Sequence, residues 1–300
     1  MRDDRWPELP YAEWKDTYAT LHMWMQMAGK IALARVAPLN HSWGIAFHLT
    51  PRGMTSAMLP HPVRPFSLEF DFIDHQLRIR PIRGGAGAIA LRPQTVADFY
   101  ATLMRVLDDM GLTTRIWPVP VELTDPIPFE QDTVHASYEP EFARRVWRAM
   151  SEIALVLAET RASFVGKSSP VHFFWGAFDL AVTRFSGRPA LPREGPRFMQ
   201  EAYSHEVISH GFWPGNDALP FPAFYGYAVP EPASFREARV SPSDTYYHQE
   251  LGEYILPYDA VRTSSDPAAA IRAFVQSTYE AGATLGGWDR NALERPGRTG

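Results

Sequence analysis

The strongest constraint on the fold is an internal duplication. The same order of residues occurs twice: a helical run that ends in Gly-Lys, followed by a proline, a histidine, a tryptophan and a glycine. The first copy is Gly29, Lys30, Pro38, His41, Trp43 and Gly44, and the second is Gly166, Lys167, Pro170, His172, Trp175 and Gly176. Repeats of this length are structural units, so the sequence predicts two related halves.

The duplication predicts an α+β fold built from two unequal internal repeats. Each repeat is expected to be an antiparallel β-meander with flanking helices, and the two are expected to share one core. The predicted boundaries are a first repeat at residues 1–122, a proline-rich linker at 123–138 and a second repeat at 139–300. A second proline-rich stretch, at about 187–242, reads as an insertion in the second repeat, where function is often carried.

Apolar spacing predicts the main elements. Stripes three and four residues apart indicate helices over Tyr11–Ala28 and Glu139–Phe164, each stopped by the glycine of its Gly-Lys pair. Runs rich in aromatic and β-branched residues predict strands over His41–Thr50 and Val171–Phe185. Later strands and helices are expected at Ala88–Arg92, Val96–Met110, Ala202–Phe212, Ala223–Val229, Thr245–Leu256 and Pro267–Gly282.

A hairpin is the best-defined local prediction. Apolar and polar residues alternate from Phe66 onward, and a two-residue turn at Asp74-His75 would place Asp71 opposite Arg78. The same register places Glu69 opposite Arg80. These carboxylates are therefore expected in cross-strand ion pairs rather than in an acid/base pair.

The amino-acid composition limits the classes of partner that the protein is expected to bind. A net charge of −5 without clustered basic residues argues against nucleic acid and against an anionic membrane surface. The chain has no cysteine, which excludes disulfides and thiolate ligands. No apolar run reaches the roughly 18 residues of a membrane span, and no leader is visible after Met1. We therefore expect a cytoplasmic protein that binds a small organic molecule.

A ligand site is expected where aromatic walls meet polar groups. The predicted ligand-binding residues are Trp43, Trp175, Lys30, Lys167 and Tyr247. Lysine is otherwise found only at position 15, so the two lysines of the repeats stand out. Helix capping, chance and ligand contact are all open explanations for them.

Four residues are the candidates for catalysis. Asp179 lies within an otherwise apolar strand, on the face opposite to His172 and Arg184, so it could serve as a buried acid or base. Arg184 would hold an anionic group, and His172 and His248 would move protons. A structural salt bridge or hydrogen bond to another strand explains Asp179 equally well.

Metal binding rests on weaker candidates. His205 and Glu206 followed by His210 have the wrong spacing for a zinc-peptidase helix, because the histidines are five residues apart. His205, Glu206 and His135 remain the candidate ligands, with ordinary surface positions as the alternative. The sequence has no phosphate loop, nucleophile elbow or dinucleotide fingerprint, and the cofactor is left open.

The chain resembles an uncharacterised bacterial family defined as a domain of unknown function. The motifs that carry the resemblance are WPELP at 6–10, WKDT at 14–17, FDFIDH at 70–75, HASY at 135–138, PVHFFWG at 170–176, FDLAVTRFSG at 178–187 and GFWPG at 211–215. The resemblance covers nearly the whole chain and implies no activity, cofactor or catalytic residue.

Three functions follow as hypotheses. The first is a small-molecule-binding protein, or an enzyme, with a His/Asp/Arg site at the repeat interface or under the insertion. The second is an interaction or scaffold protein without catalysis, and the third is a metal-dependent enzyme that uses histidines and carboxylates. Convergence of the polar candidates in space would favour an enzyme over a scaffold.

Overall fold

The computed structural model describes residues 5–192 and 194–295. Its helices are α1 (Tyr11–Arg35), α2 (Val96–Asp109), α3 (Pro140–Thr160), α4 (Arg197–Ala202), α5 (Tyr258–Arg262), α6 (Pro267–Leu285) and α7 (Arg290–Leu293). Its strands are β1 (His48–Thr50), β2 (Gly53–Thr55), β3 (Phe66–Asp71), β4 (Gln76–Pro81), β5 (Gly87–Ala90), β6 (His172–Phe174), β7 (Asp179–Pro189), β8 (His205–Trp213), β9 (Ala223–Val229), β10 (Tyr246–His248) and β11 (Glu253–Pro257).

The chain forms two compact units. The first unit contains residues 9–148 and 173–178. The second unit contains residues 149–172 and the described residues among 1–8 and 179–300. Each unit includes strands of an antiparallel sheet, which confirms the α+β class. The internal duplication stays a prediction. Within the described residues, no helix is long and apolar enough to cross a membrane.

Helix α1 is the centre of the first unit. Every residue from Leu21 to Ala32 is buried, because apolar side chains such as Trp24 and Met25 lie on all of its faces. The predicted stop at Gly29 is wrong, since the helix continues to Arg35. Gly29 is instead a contact point: a Cβ atom there would lie 2.1 Å from Cδ2 of Trp175.

A five-stranded meander, in the order β1-β2-β3-β4-β5, is the sheet of the first unit. The two-residue turn between β3 and β4 is wrong, because Asp71 pairs with Gln76 and the turn has four residues. Asp71 Oδ1 accepts hydrogen bonds from the backbone N–H groups of Ile73 and Asp74, both at 3.0 Å, and this fixes the wider turn. The expected ion pairs still form, diagonally rather than directly opposite: Arg78 to Asp71 at 3.0 Å, and Arg80 to Glu69 at 2.7 Å.

Two predicted strands are interrupted. The stretch from His41 begins as a 3-10 segment, Asn40–Ile45, rather than as a strand. His41 and Ser42 within it have positive φ angles of 56° and 58°, which interrupt any extended conformation there. The stretch Val171–Phe185 is split between β6 and β7 by a turn in which Phe178 has φ of 57°. Helix α3 ends at Thr160, before the predicted Phe164.

The strands of the second unit belong to a six-stranded sheet in the order β10-β11-β9-β8-β7-β6. Helix α6 packs against one face, which we call the helix face. His210 and Thr278 share a hydrogen bond of 2.7 Å there, and the absence of a side chain at Gly282 makes room for Ile208. Because strand residues alternate between faces, their neighbours Ser209 and Gly211 lie on the opposite face.

Candidate functional site

Polar residues gather on the face of the six-stranded sheet opposite α6. In the β-ladder Thr183 pairs with Ser209, and Ser209 pairs with Tyr227. Gly226 pairs with Tyr254, so Glu253 extends the same row onto β11. We call this surface the tyrosine face. It is defined by Asp179, Tyr225, Tyr227 and Glu253, together with the hydroxyl residues Thr183 and Ser209.

Two tyrosines lie side by side on this face. The rings of Tyr225 and Tyr227 are 5.9 Å apart, with 18° between their planes. Tyr225 crosses strand β8 at Gly211, where a Cβ atom would lie 2.3 Å from the tyrosine hydroxyl. Gly211 is therefore required for Tyr225 to reach β7.

Tyr225 binds the carboxylate of Asp179. Its hydroxyl donates to Oδ2 of Asp179 at 2.5 Å and also lies 3.3 Å from the carbonyl oxygen of Leu180. Burial, followed by the negative charge of Asp179, raises the pKa of Tyr225 well above its usual value. The tyrosine therefore stays protonated and serves as a fixed donor to the carboxylate.

Tyr227 belongs to a chain of hydroxyl groups. Its hydroxyl lies 3.0 Å from that of Tyr203, and Thr183 and Ser209 share a hydrogen bond of 2.9 Å in the neighbouring strands. Burial is the main reason that the pKa of Tyr227 lies well above its usual value. These groups offer donors and acceptors but no charge at neutral pH.

Glu253 is a residue of the site whose carboxyl group titrates near neutral pH. Its carboxylate makes no hydrogen bond and no ion pair with any residue that the structure describes. Burial, with a smaller contribution from the negative charge of Asp179, raises the pKa of Glu253 from 4.5 to about 7. Glu253 can therefore both gain and lose a proton near neutral pH, as a general acid or base must.

Glu253 and Tyr227 line a cavity of about 500 Å³ at one end of the strands. We call it the Glu253 cavity. Its described lining residues are Ala190, Leu191, Pro192, Tyr203, Tyr227, Ala228, Val229, Pro230, Glu231, Leu251, Gly252 and Glu253. The wall combines apolar side chains with polar groups in nearly equal measure, and several of its segments belong to the insertion predicted at 187–242.

Residues 6–295 of the chain match a family of unknown function, DUF5996. The chain belongs to the DUF5996 family. This confirms the resemblance to a domain of unknown function. The chain matches no curated protein and no solved structure. The site of this DUF5996 chain must therefore be interpreted from its own geometry.

Two predicted catalytic residues lie on the tyrosine face of the DUF5996 chain. Asp179 is held by Tyr225 of another strand, which supplies the non-local partner that its position requires. His248 pairs with Glu253 across β10 and β11, and its Nδ1 accepts a hydrogen bond of 3.3 Å from the backbone N–H of Leu251. The structure thus brings Asp179 and His248 to the same face as Glu253.

Arg184 lies on the helix face, away from Asp179. It is only 2% exposed, and its Nη2 donates to the carbonyl oxygen of Thr160 at 2.8 Å, at the carboxyl end of α3. The guanidinium carbon lies 4.5 Å from the centre of the Tyr279 ring. Burial lowers the pKa of Arg184 to about 10. This geometry makes Arg184 a helix cap held by aromatic rings. His172, at the start of β6, is buried as well.

The predicted ligand-binding residues are spread over both units. In the first unit, Trp175 packs on Gly29 and its Nε1 donates to the carbonyl oxygen of Ile45 at 3.1 Å. Trp43 contacts the ring of His41, and the Lys30 amine lies 5.1 Å from the centre of the Trp117 ring. In the second unit, the Lys167 amine lies 4.6 Å from the centre of the Phe185 ring, and the Tyr247 hydroxyl donates to Glu231.

The candidate metal ligands have protein partners. Glu206 accepts hydrogen bonds of 2.8 Å from Ser186 and from Arg188, and His205 Nδ1 lies 3.1 Å from the hydroxyl of Ser204. His135, in the first unit, lies 2.7 Å from Asp132. Among the described residues, no group of three histidines and carboxylates is placed to hold a metal ion.

The sequence analysis missed Tyr203, Tyr225, Tyr227 and the role of Glu253. One signal was present: in the run AFYGYAV at 223–229 the two tyrosines alternate with small residues and therefore share a face. The neighbours of that face come from β7, β8 and β11, which no spacing within a single strand can indicate.

Proposed function

We propose that this DUF5996 chain binds a small organic molecule in the Glu253 cavity. The observation that carries the proposal is a carboxylate, in a cavity of about 500 Å³, that makes no hydrogen bond or ion pair with a described residue. Pockets for small molecules commonly measure about 300–1,000 Å³ and combine apolar walls with a few polar groups. The cavity has both properties, since Leu191, Pro192 and Val229 stand beside tyrosine hydroxyls.

The same cavity supports acid/base chemistry. Glu253 has a pKa of about 7, so both its protonated and its ionised form are present at neutral pH. A group of this kind, within reach of a bound molecule, exchanges protons with it most effectively. We therefore extend the proposal to an enzyme in which Glu253 is the acid or base, and in which Tyr227 and Tyr203 orient the substrate.

Native mass spectrometry of the purified protein tests the proposal. Ala190 is a small, half-buried residue of the cavity wall, so Ala190→Trp is expected to place an indole ring in the cavity and to obstruct part of it. Ala86→Trp changes an exposed residue in a turn of the first unit and is the matched control. We expect a stoichiometric ligand mass on the wild type and on Ala86→Trp, and its loss from Ala190→Trp.

A ligand that remains on Ala190→Trp at the occupancy seen in the wild type contradicts the proposal, because the indole ring would occupy part of its site. If the protein is purified without a ligand, the same three proteins are screened by ligand-observed NMR against a library of small metabolites. Binders that distinguish Ala190→Trp from Ala86→Trp support the cavity. The proposal is rejected if every molecule that binds has the same affinity for Ala190→Trp as for Ala86→Trp.

A further inference from the structure

The charged groups of the Glu253 cavity have a single sign. Of the described residues that line it, Glu231 and Glu253 are the only charged ones, and no lysine, arginine or histidine is among them. Glu231 is already occupied, since it accepts hydrogen bonds from the Tyr247 hydroxyl and, at 2.8 Å, from Arg236. Glu253 is therefore the carboxylate left for a ligand.

The surroundings of Glu253 add negative rather than positive potential. Asp179 lies on the same face and acts on Glu253 through its charge. Arg184 and Arg188 of β7 are directed away from Glu253, to the carbonyl oxygens of Thr160 and Gly286. The titratable groups that share the face of Glu253 or line its cavity are Asp179 of β7, His205 of β8, Tyr225 and Tyr227 of β9, Glu231 after β9, Tyr246 and His248 of β10 and Tyr203 after α4. Of these, only the two histidines can become cationic, and neither is among the described lining residues. A cation from outside would supply the missing counter-charge.

The aromatic groups of the wall suit the same ligand. Tyr203 and Tyr227 line the cavity, and a tyrosine ring attracts an ammonium group through its electron-rich face. Leu191, Pro192 and Val229 provide an apolar wall for a hydrocarbon body. In the described lining, the charged groups that an anionic ligand would meet are carboxylates, so the described lining favours a cation.

We infer that the ligand of the Glu253 cavity is a small amine with an apolar body, and that its ammonium group pairs with the carboxylate of Glu253. The inference rests on the proposed function and names its ligand class. The ammonium donates hydrogen bonds to Glu253, while the apolar body lies along the wall formed by Leu191, Pro192 and Val229.

Binding of this kind releases a proton. The carboxyl of Glu253 titrates at about pH 7 in the empty cavity, and an ammonium group beside it favours the ionised form. Below about pH 7 the ligand must therefore displace a proton, so its affinity falls roughly tenfold for each pH unit. Above about pH 7 the carboxylate is already ionised, and the affinity becomes constant.

Isothermal titration calorimetry with three matched probes tests the inference. Phenethylamine, 2-phenylethanol and phenylacetate share an aromatic body and differ in the charge of the terminal group. We expect phenethylamine to bind most tightly, with an affinity that rises roughly 100-fold from pH 5 to pH 7 and then levels off. Glu253→Gln should weaken phenethylamine binding at least about tenfold at pH 8 and remove the pH dependence.

Glu250→Gln is the control variant, because Glu250 is exposed in the turn between β10 and β11 and does not line the cavity. It should bind phenethylamine as the wild type does. Three results overturn the inference: equal affinity for the alcohol and the amine, a flat pH profile, or unchanged amine binding in Glu253→Gln. Failure of all three probes to bind at millimolar concentration overturns it too. The proposed function is tested separately, by whether Ala190→Trp loses the ligand that the wild type binds.

Discussion

Replacement of Glu253 by glutamine is expected to stabilise the protein at alkaline pH. Burial and Asp179 raise the pKa of Glu253 from 4.5 to about 7, so the folded state holds a proton that the unfolded state has lost between these values. Stability must therefore fall as pH rises from about 4.5 to 7. At about 1.4 kcal/mol for each pH unit between the two pKa values, the penalty above pH 7 is about 3 kcal/mol.

Glutamine resembles the protonated carboxyl and carries no such penalty. We expect Glu253→Gln to match the wild type near pH 4 and to exceed its free energy of unfolding by about 3 kcal/mol at pH 8. Urea unfolding followed by circular dichroism, repeated across this pH range, measures the difference. Glu250→Gln is the matched control and should show no pH-dependent gain, because Glu250 is exposed.

The reasoning is refuted by a difference between Glu253→Gln and the wild type that does not change with pH. It is refuted equally by a variant that is less stable than the wild type at pH 8. Either result would mean that folding does not raise the pKa of Glu253 above its unfolded value.

Three further changes test the packing and electrostatics. Gly29→Ala should lower the free energy of unfolding in urea by at least about 3 kcal/mol, because the new methyl group would lie 2.1 Å from the buried Trp175 ring. Gly85→Ala is the control and should change the free energy of unfolding by less than about 0.5 kcal/mol, because the space around Gly85 is open. Tyr225→Phe removes the donor to Asp179 and should lower the thermal unfolding stability by about 1–3 kcal/mol, whereas Phe at the exposed Tyr246 should be nearly neutral. Burial raises the pKa of Asp71, but hydrogen bonds from Arg52, from backbone N–H groups and from Arg78 outweigh burial and lower this pKa from 3.8 to about 2. Asp71→Asn should therefore lower the free energy of unfolding by about 2 kcal/mol at pH 7. That loss should shrink as the pH falls from 3.8 toward 2 in acid unfolding, and a loss that persists at pH 2 would contradict it.

Local patterns predicted most of the regular structure. Strand β9 has the predicted bounds Ala223–Val229, and α2 differs from its prediction by one residue at its end. Helix α2 buries a single stripe that contains Val96, Phe99, Leu103 and Leu107, so its period is visible in the sequence. Helix α1 is buried on all sides, so its period is weak, and the packing of Trp175 decides the role of Gly29.

Register and the site depend on contacts that no local pattern contains. The β3–β4 turn was wrong by two residues because the Asp71 carboxylate binds two backbone N–H groups and so holds a longer turn. For the site, the sequence indicated Asp179 and His248 and expected a function near the insertion. It could not indicate that Tyr225 crosses Gly211 to reach Asp179, because that contact joins residues 46 positions apart.

Asp71 and Glu253 differ in the number of hydrogen-bond donors that the fold supplies to a carboxylate. Both are removed from water, which by itself raises the pKa of a carboxyl group. Asp71 receives hydrogen bonds from Arg52, Arg78 and two backbone N–H groups, and its pKa falls to about 2. Glu253 receives none from the described residues, and its pKa rises to about 7. A fold that can satisfy one buried carboxylate this fully, yet leaves another without a donor at the edge of a cavity, keeps the second available for a ligand.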